Sequence, residues 1–146
     1  MIYLVDSSLY IRAFRDAAFG QSLRAFHAAH LSRVVLSAVV IHELLVGATT
    51  GRKERALRRG LVEPFHVRRR IHVPARRTWM LAAEVDHRLR RLARLASKLR
   101  TRSFFNDMLI AASAREIGAI VVTDNREDFG VIASTLDVRY IDPWPA

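Results

Sequence analysis

Short apolar runs constrain the fold of this chain more than any other feature of its sequence. Residues 2–5, 34–36 and 119–122 each have the length and character of a strand that is buried on both faces of a sheet. A similar run at residues 138–141 is predicted as the last strand. One further short strand is predicted in the basic middle of the chain from Val62, Phe65 and Val67.

Helical patterns separate these strands. Helices are predicted at residues 9–16, 22–30, 38–46, 75–99 and 107–117. Gly20 is predicted to break the chain between the first two. Strands that alternate with helices predict a three-layer α/β/α fold with a central, mostly parallel sheet of four or five strands. We expect one domain that spans residues 1–146.

The composition excludes several kinds of site. The chain has no cysteine, which excludes disulfides, thiolate metal sites and cysteine nucleophiles. The longest apolar stretch, residues 34–41, has roughly eight residues, far fewer than the ~18 that suggest a membrane-spanning helix. The chain starts without a basic region and reaches Asp6 early, so no signal peptide is expected. We therefore expect a cytoplasmic protein that does not bind a membrane.

The charge balance is strongly positive. The chain carries 24 Lys and Arg residues against 14 Asp and Glu residues, for a formal net charge of +10. Such a field favours polyanionic partners, namely nucleic acid, an anionic membrane surface or an acidic protein. The alternative is that a GC-rich genome encodes arginine in place of lysine and that these arginines form an ordinary solvated surface. The charge alone does not distinguish between these interpretations.

Five carboxylates lie close to the apolar runs. Asp6 ends the first run, and Asp124 follows the run that ends at residue 122, with Asp128 close behind. Glu43 and Asp107 lie on predicted helices, Asp107 near the start of its helix. Because functional crevices of parallel sheets lie outside the carboxyl ends of the strands, we expect these acids to converge at that edge.

Each acid also has a structural explanation. Asp6 can cap the first helix, Glu43 can pair with a surface arginine, and Asp107 can stabilise a helix N-terminus. Asp124 and Asp128 lie in a turn-rich segment, where aspartate is common. If the acids converge, they require a compensating cation, which is either a guanidinium or a hard ion such as Mg²⁺ or Mn²⁺. Such an ion can prepare a water for attack on a phosphodiester.

Four segments, taken in order, resemble the PIN-domain ribonucleases, and among these the VapC toxins of bacterial toxin–antitoxin pairs. The segments are Leu4-Val5-Asp6-Ser7-Ser8, His42-Glu43-Leu44-Leu45-Val46-Gly47, Asn106-Asp107-Met108-Leu109-Ile110-Ala111-Ala112 and Val122-Thr123-Asp124-Asn125-Arg126-Glu127-Asp128-Phe129. The likeness extends over nearly the whole chain, whereas the basic stretch at residues 52–102 matches nothing specific.

The resemblance implies a Mg²⁺-dependent endoribonuclease. Asp6, Glu43 and Asp107 fall on the catalytic acids with which the family binds its divalent ion, Mg²⁺ or Mn²⁺, and hydrolyses RNA phosphodiesters. The resemblance also implies a homodimer and a cognate VapB-like antitoxin that inserts a segment into the active-site groove. Phe14 and Phe19 are candidates for an apolar wall of a partner groove.

The fourth acidic position stays open. Asn125 occupies its commonest place in the family, and the available carboxylates are Asp124 and Asp128. Asp128 is slightly favoured as a catalytic, metal-binding residue, because Asp-Phe is the better match at that position. Ser8, Thr123 and Asn125 are expected to support the site as polar residues.

Two other functions are compatible with the sequence. One is a non-catalytic, basic nucleic-acid-binding module with a decayed site. RNA binding that survives EDTA, without cleavage at any Mg²⁺ or Mn²⁺ concentration, would indicate it. The other is a housekeeping PIN nuclease without an antitoxin, and a small antitoxin reading frame directly upstream would argue against it.

Overall fold

Five parallel strands form one sheet in the computed structural model, which describes residues 1–144. The order of the strands across the sheet is β3-β2-β1-β4-β5. The strands are β1 (Ile2–Val5), β2 (Val34–Ser37), β3 (Ile71–His72), β4 (Ala119–Val122) and β5 (Arg139–Ile141). Every neighbouring pair is parallel, which confirms the predicted α/β fold with a parallel sheet.

Helices connect the strands. They are α1 (Ser7–Arg15), α2 (Ala17–Ala29), α3 (Ala38–Gly47), α4 (Gly51–Leu57), α5 (Glu63–Val67), α6 (Arg76–Leu89), α7 (Ala96–Leu99), α8 (Arg102–Ile117) and α9 (Arg126–Ala133). A π-helical turn (Arg58–Val62) and a 3-10 turn (Ala93–Leu95) join some of them. Within residues 1–144, no helix is long and apolar enough to cross a membrane.

The central strands are covered on both faces. Side chains alternate between the faces of a strand, yet Tyr3, Leu4 and Val5 are all buried in β1. All four residues of β2 and all four of β4 are buried as well. On one face, the ring of Tyr3 meets the edge of Phe26 from α2, with the centroids 5.3 Å apart. This two-sided burial explains why the strands are continuous apolar runs rather than alternating patterns.

The third strand is not where the sequence suggests. Val62 ends the π-helical turn, and Phe65 and Val67 lie in α5, so the prediction of a strand from these residues is wrong. Phe65 is buried and Val67 is exposed, which is the pattern of a short helix with one inward face. The strand itself is the two-residue β3, which begins at Ile71 and pairs with β2.

The long helix predicted at residues 75–99 is interrupted. Helix α6 ends at Leu89, and Leu92 has an extended backbone (φ −98°, ψ 100°). Leu92 is exposed at the break, whereas Leu95 and Leu99 are buried after it. The break redirects the chain, so that α7 approaches α9 and not the solvent.

The first two helices are longer than predicted. Gly20 lies within α2 and does not break the chain. A Cβ at Gly20 would lie 3.0 Å from the carbonyl oxygen of Ala13, so glycine allows α1 and α2 to approach closely. The break comes at Asp16, whose Oδ1 accepts a hydrogen bond from Phe19 N at 3.0 Å and so caps α2.

Two helix boundaries change the setting of the predicted site. Helix α8 begins at Arg102, five positions earlier than predicted, and Thr101 caps it through a hydrogen bond from Phe104 N. Asp107 therefore lies in the second turn and not at the helix start. Helix α9 was not predicted, and Asn125 caps it by accepting a hydrogen bond from Asp128 N at 3.4 Å. Asn125 followed three residues later by an acid is a capping pattern that the sequence does contain.

Candidate active site at the carboxyl edge of the sheet

Asp6 lies directly after β1 and is anchored by three donors. Its Oδ1 accepts a hydrogen bond from Ser7 N at 2.8 Å, the capping bond at the start of α1. Its Oδ2 accepts hydrogen bonds from Ser8 Oγ at 2.9 Å and from Thr123 Oγ1 at 2.8 Å. Asp6 is buried, so these bonds fix the orientation of a carboxylate at the end of the central strand.

Thr123 connects the ends of β1 and β4. Its hydroxyl donates to Asp6 and accepts a hydrogen bond from Asn125 N at 3.0 Å. Asn125 Nδ2 in turn donates to Asp107 Oδ2 at 3.2 Å and to Asp128 Oδ2 at 3.0 Å. A continuous chain of hydrogen bonds therefore joins Asp6, Thr123, Asn125, Asp107 and Asp128.

Asp107 is a buried carboxyl surrounded by like charges. Its side chain projects from α8, and the residue is 4% exposed. Burial, which is the largest cause, and the nearby carboxylates of Asp6, Asp128 and Glu43 together raise the pKa of Asp107 to about 9. The fold thus brings these four acids close enough to interact, although they are far apart in the sequence.

Asp6 and Glu43 are also unfavourable positions for negative charge. Burial raises the pKa of Asp6, and the hydrogen bonds from Thr123, Ser8 and Ser7 offset only part of this effect. Burial likewise raises the pKa of Glu43 on α3. Hydrogen bonds from Asn106 and Ser7 offset part of this effect. Within residues 1–144, however, the buried Oε2 atom of Glu43 has no hydrogen-bond partner. An unpaired buried carboxylate oxygen is costly unless a cation or a donor compensates it.

The two candidates for the fourth acid lie in different environments. Asp124 is exposed, and its Oδ2 pairs with Arg12 Nη1 at 3.6 Å. Asp128 is only partly exposed, faces Asp107 and shares the amide of Asn125 with it. The structure therefore groups Asp128, and not Asp124, with the buried acids.

Lys98 is a residue of this cluster that sequence reasoning missed. Its Nζ donates hydrogen bonds to Asp128 Oδ1 and, at 3.1 Å, to Glu127 Oε1. Burial alone would raise the pKa of Asp128, but hydrogen bonds from Lys98 and Asn125 outweigh that effect and hold the pKa below its usual value. No local pattern reveals Lys98, because its position depends on the break between α6 and α7.

A groove of about 700 Å³ extends from this cluster between α1, α2, α3 and α4. Glu43 lies at the acidic side of the groove, and the basic residues Arg15, Arg24 and Lys53 also line it. Its apolar lining includes Ile11, Phe14, Leu23, Leu44, Leu57 and Leu61. Phe14, which was predicted to line a partner groove, lines this groove, whereas Phe19 is not among the lining residues. The ring of Phe19 packs against Trp144 instead, with the ring centroids 5.4 Å apart.

The chemistry of the acids fits a hard divalent cation. Oxygen ligands from carboxylates are what Mg²⁺ and Mn²⁺ prefer, and the unpaired oxygen of Glu43 lacks any other partner. As the side chains stand, no three acidic or histidine residues in the described part of the chain converge closely enough to enclose an ion. Their oxygens are engaged by Ser8, Thr123, Asn125 and Lys98 instead.

Comparison with solved structures shows the same fold in three complexes. The DNA-bound VapBC of Salmonella typhimurium is 22% identical, covers 97% of this chain and 98% of its own, and has a TM-score of 0.72. VapBC-1 of nontypeable Haemophilus influenzae is 21% identical, with coverages of 97% and 98% and a TM-score of 0.65. A toxin-antitoxin complex from Klebsiella pneumoniae is 20% identical, with coverages of 99% and 99% and a TM-score of 0.57.

Comparison with protein families agrees with the structure. None of the curated proteins compared with the chain matches it significantly. The family model described as PIN domain matches residues 3–134, which include all five candidate acids. Since that match spans most of the sequence, the resemblance noted from the four segments is confirmed, and the chain belongs to the PIN-domain family.

Proposed function

We propose that this protein is a Mg²⁺- or Mn²⁺-dependent endoribonuclease of the VapC type, the toxin of a toxin–antitoxin pair that acts in the cytoplasm. PIN domains are generally metal-dependent nucleases. The observation that carries the proposal is the group of Asp6, Glu43 and Asp107, of which Asp6 and Asp107 are buried and Glu43 is partly buried. Each of the three carboxyls has a raised pKa, and no Lys or Arg side chain within residues 1–144 forms an ion pair with any of them. A fold retains such costly charges where a ligand of opposite charge binds.

Asp6, Glu43 and Asp107 would hold the ion, with Asp128 as the fourth acid. The grouping of Asp128 with Asp107, and the pairing of Asp124 with Arg12, support this choice. When bound, a divalent ion lowers the pKa of water and stabilises the charge that develops on a phosphodiester during hydrolysis.

The neighbouring polar residues orient the acids. Ser8 and Thr123 direct Asp6 by hydrogen bonds to the same oxygen, Oδ2. Asn125 donates to both Asp107 and Asp128 and so holds two repelling carboxylates side by side. This arrangement prepares the ligands before a cation arrives, which lowers the cost of ordering them.

Exposed arginines near the site would seat the RNA strand. Arg100 and Arg102 are exposed at the start of α8, the helix whose second turn carries Asp107. Arginines at such positions contact the phosphates of a nucleic acid and position it without reading its sequence. The net charge of +10 supports attraction of a polyanion to this surface.

The groove supports the proposal of an antitoxin partner. It joins an apolar floor, including Phe14 and Leu23, to the acidic cluster at Glu43. An inserted segment with apolar side chains would fill the floor, and a basic residue on it would pair with the acids in place of the metal. The solved structures that resemble this chain include VapBC and toxin-antitoxin complexes, which supports a VapB-like partner.

An exposed aromatic patch supports the proposed homodimer. Trp79 on α6 and Phe105 on α8 are 50% and 42% exposed, and their ring centroids lie 6.2 Å apart. Met80 beside them is 60% exposed. Apolar side chains that cluster on a surface in this way are typical of interfaces between protein chains. Sedimentation equilibrium of the chain alone tests this part of the proposal.

Cleavage of total cellular RNA by the purified chain tests the proposed activity. We expect fragments in Mg²⁺ or Mn²⁺, none in EDTA, and loss of cleavage in Asp6→Ala and Asp107→Ala variants. If both variants cut as fast as the parent, the mechanism is wrong. RNA binding without cleavage under all metal conditions would indicate a basic binding module instead. Growth arrest on expression, relieved by an upstream reading frame, would separate a toxin from a housekeeping nuclease.

A further inference from the structure

Lys98 supplies a positive charge to one half of the acidic cluster only. Its Nζ contacts Asp128 and Glu127, and its side chain is 26% exposed. Nζ also lies over the ring of Phe104, 5.7 Å from the ring centroid. The ammonium is thus held at the cluster by two carboxylates and an aromatic face, and it does not extend freely into solvent.

The other half of the cluster has no such charge in the part of the chain that the structure describes. There, Asp6 accepts hydrogen bonds from the uncharged donors Ser7, Ser8 and Thr123. Glu43 leaves a buried oxygen unpaired. The cluster is therefore divided into a compensated side, at Asp128, and an uncompensated side, at Asp6 and Glu43, with Asp107 between them.

We infer that Lys98 occupies the place of a second metal ion, so that this chain binds one divalent cation at Asp6, Glu43 and Asp107 and not two. The inference rests on the proposed metal site and goes beyond it, because it assigns the number of ions to a side chain of this protein. Lys98 is a positioning residue in this account, since it acts by holding Asp128.

Charge repulsion gives the physical reason. In two-metal sites the ions lie about 3.5–4 Å apart and share carboxylate ligands. A second ion at Asp128 would have to displace the Lys98 ammonium or lie against it, and like charges at contact distance repel strongly in a partly buried site. A tethered ammonium also has a high local concentration compared with a free ion. Asp128 therefore stays paired with Lys98 while the first ion binds on the other side.

Calorimetric titration of the metal-free, full-length chain with MnCl₂ tests the inference. The decisive variant is Lys98→Met, which keeps the length of the side chain and removes its charge. Lys98→Arg keeps the charge. Lys53→Met is the matched control, because Lys53 is the other lysine of the chain and lies on α4. Lys53 lines the groove with Glu43, but within the described residues its side chain forms no ion pair with an acid of the cluster. Thermal unfolding and circular dichroism confirm that each variant is folded.

We expect one Mn²⁺ per chain for the parent, Lys98→Arg and Lys53→Met, and two for Lys98→Met. Two ions bound by the parent would overturn the role of Lys98 while leaving the proposed nuclease intact. One ion or none bound by a folded Lys98→Met variant would overturn it as well. No Mn²⁺ bound by the parent would remove the metal site itself, and the inference together with the proposed function would fail.

Discussion

Helix α8 carries two well-covered carboxylates whose surroundings are opposite. Glu116, in its last turn, accepts hydrogen bonds from Arg77 Nε at 2.7 Å and from Thr78 Oγ1, and His72 Nε2 lies 3.6 Å away. Asp107, in its second turn, accepts a hydrogen bond from Asn125 and faces other acids. The pKa of Glu116 is lowered by the bonds from Thr78 and Arg77, whereas that of Asp107 is raised to about 9.

This difference separates a structural carboxylate from a candidate ligand. The fold supplies Glu116 with its own cation near the protein surface, so the charge fastens α6 and β3 to α8. The fold supplies Asp107 with no cation and adds three nearby carboxylates. Burial alone therefore does not indicate a functional acid. A buried carboxylate that has no positively charged partner in the described chain is the better indication of a functional acid.

The largest expected contrast is in catalysis. If the proposed metal site is correct, Asp107→Asn should reduce the rate of RNA cleavage on the order of 10³-fold, because it removes a proposed ligand of the ion that would stabilise the transition state. Glu116→Gln should change that rate by less than about twofold, since Glu116 lies outside the site. Single-turnover cleavage assays at saturating Mn²⁺ measure both. Equal losses in the two variants would abolish the distinction between the carboxylates.

The next contrast is in stability without metal. The pKa of the Asp107 carboxyl is about 9 in the folded chain, against 3.8 for the unfolded chain. The Asp107 carboxyl therefore does not oppose folding below about pH 4, and it lowers the free energy of unfolding more and more as the pH rises towards 9. At pH 8 in EDTA, Asp107→Asn should raise the free energy of unfolding by about 2 kcal/mol, because it removes a buried acid that must ionise on unfolding.

Glu116 should behave with the opposite sign. Its pKa is lowered on folding, so its contribution is present above its unfolded value of 4.5 and is lost as the pH falls. Glu116→Gln should therefore destabilise the chain at pH 8. Urea unfolding of both variants at pH 4 and pH 8 checks the two signs, and a destabilised Asp107→Asn variant at pH 8 would contradict the account.

A smaller contrast concerns the fourth acid. Asp128→Asn should weaken binding of the single Mn²⁺ about 10-fold, because Asp128 supports the neighbouring ligand Asp107 through their shared donor. Asp124→Asn should weaken it less than about twofold, since Asp124 is exposed and paired with Arg12. Calorimetric titration with Mn²⁺ measures both affinities. A larger loss for Asp124→Asn would reverse the assignment.

The smallest contrast compares two threonines that donate to the two kinds of carboxylate. Thr78→Val should lower the free energy of unfolding by about 1 kcal/mol, because it takes a hydrogen bond from the ionised Glu116. Thr123→Val should cost a similar amount and should also weaken Mn²⁺ binding, because Thr123 orients Asp6. Thermal unfolding with and without Mn²⁺ distinguishes the two variants. If Mn²⁺ raises the unfolding temperature of Thr78→Val and Thr123→Val by the same amount as that of the parent, Thr123 has no role at the site.

The sequence predicts the strands of the sheet well where burial is two-sided. Continuous apolar runs predicted β1, β2 and β4 within one residue, because strands covered on both faces leave no polar positions. The two-residue strand β3 is too short to leave a pattern. The spacing of Val62, Phe65 and Val67 did not distinguish a helix from a strand, and tertiary packing decided in favour of the helix.

The acids of the candidate site could be predicted from the sequence because each lies next to an apolar run or in a family segment. The positive charge of Lys98, which pairs with Asp128, could not be predicted in this way. Lys98 lies near the end of the helix predicted at residues 75–99, and it reaches Asp128 because the chain leaves the helix at residue 90 and turns at Leu92. Such an encounter between distant segments has no local signature.

We propose that acids without a cation of their own within this chain form a divalent metal site. Crystals of the full chain grown with MnCl₂ would show such an ion in an anomalous difference map. We expect a peak about 2.1 Å from carboxylate oxygens of Asp6, Glu43 and Asp107. A peak at Glu116 or elsewhere, or well-ordered acids with no peak at millimolar Mn²⁺, would contradict this proposal.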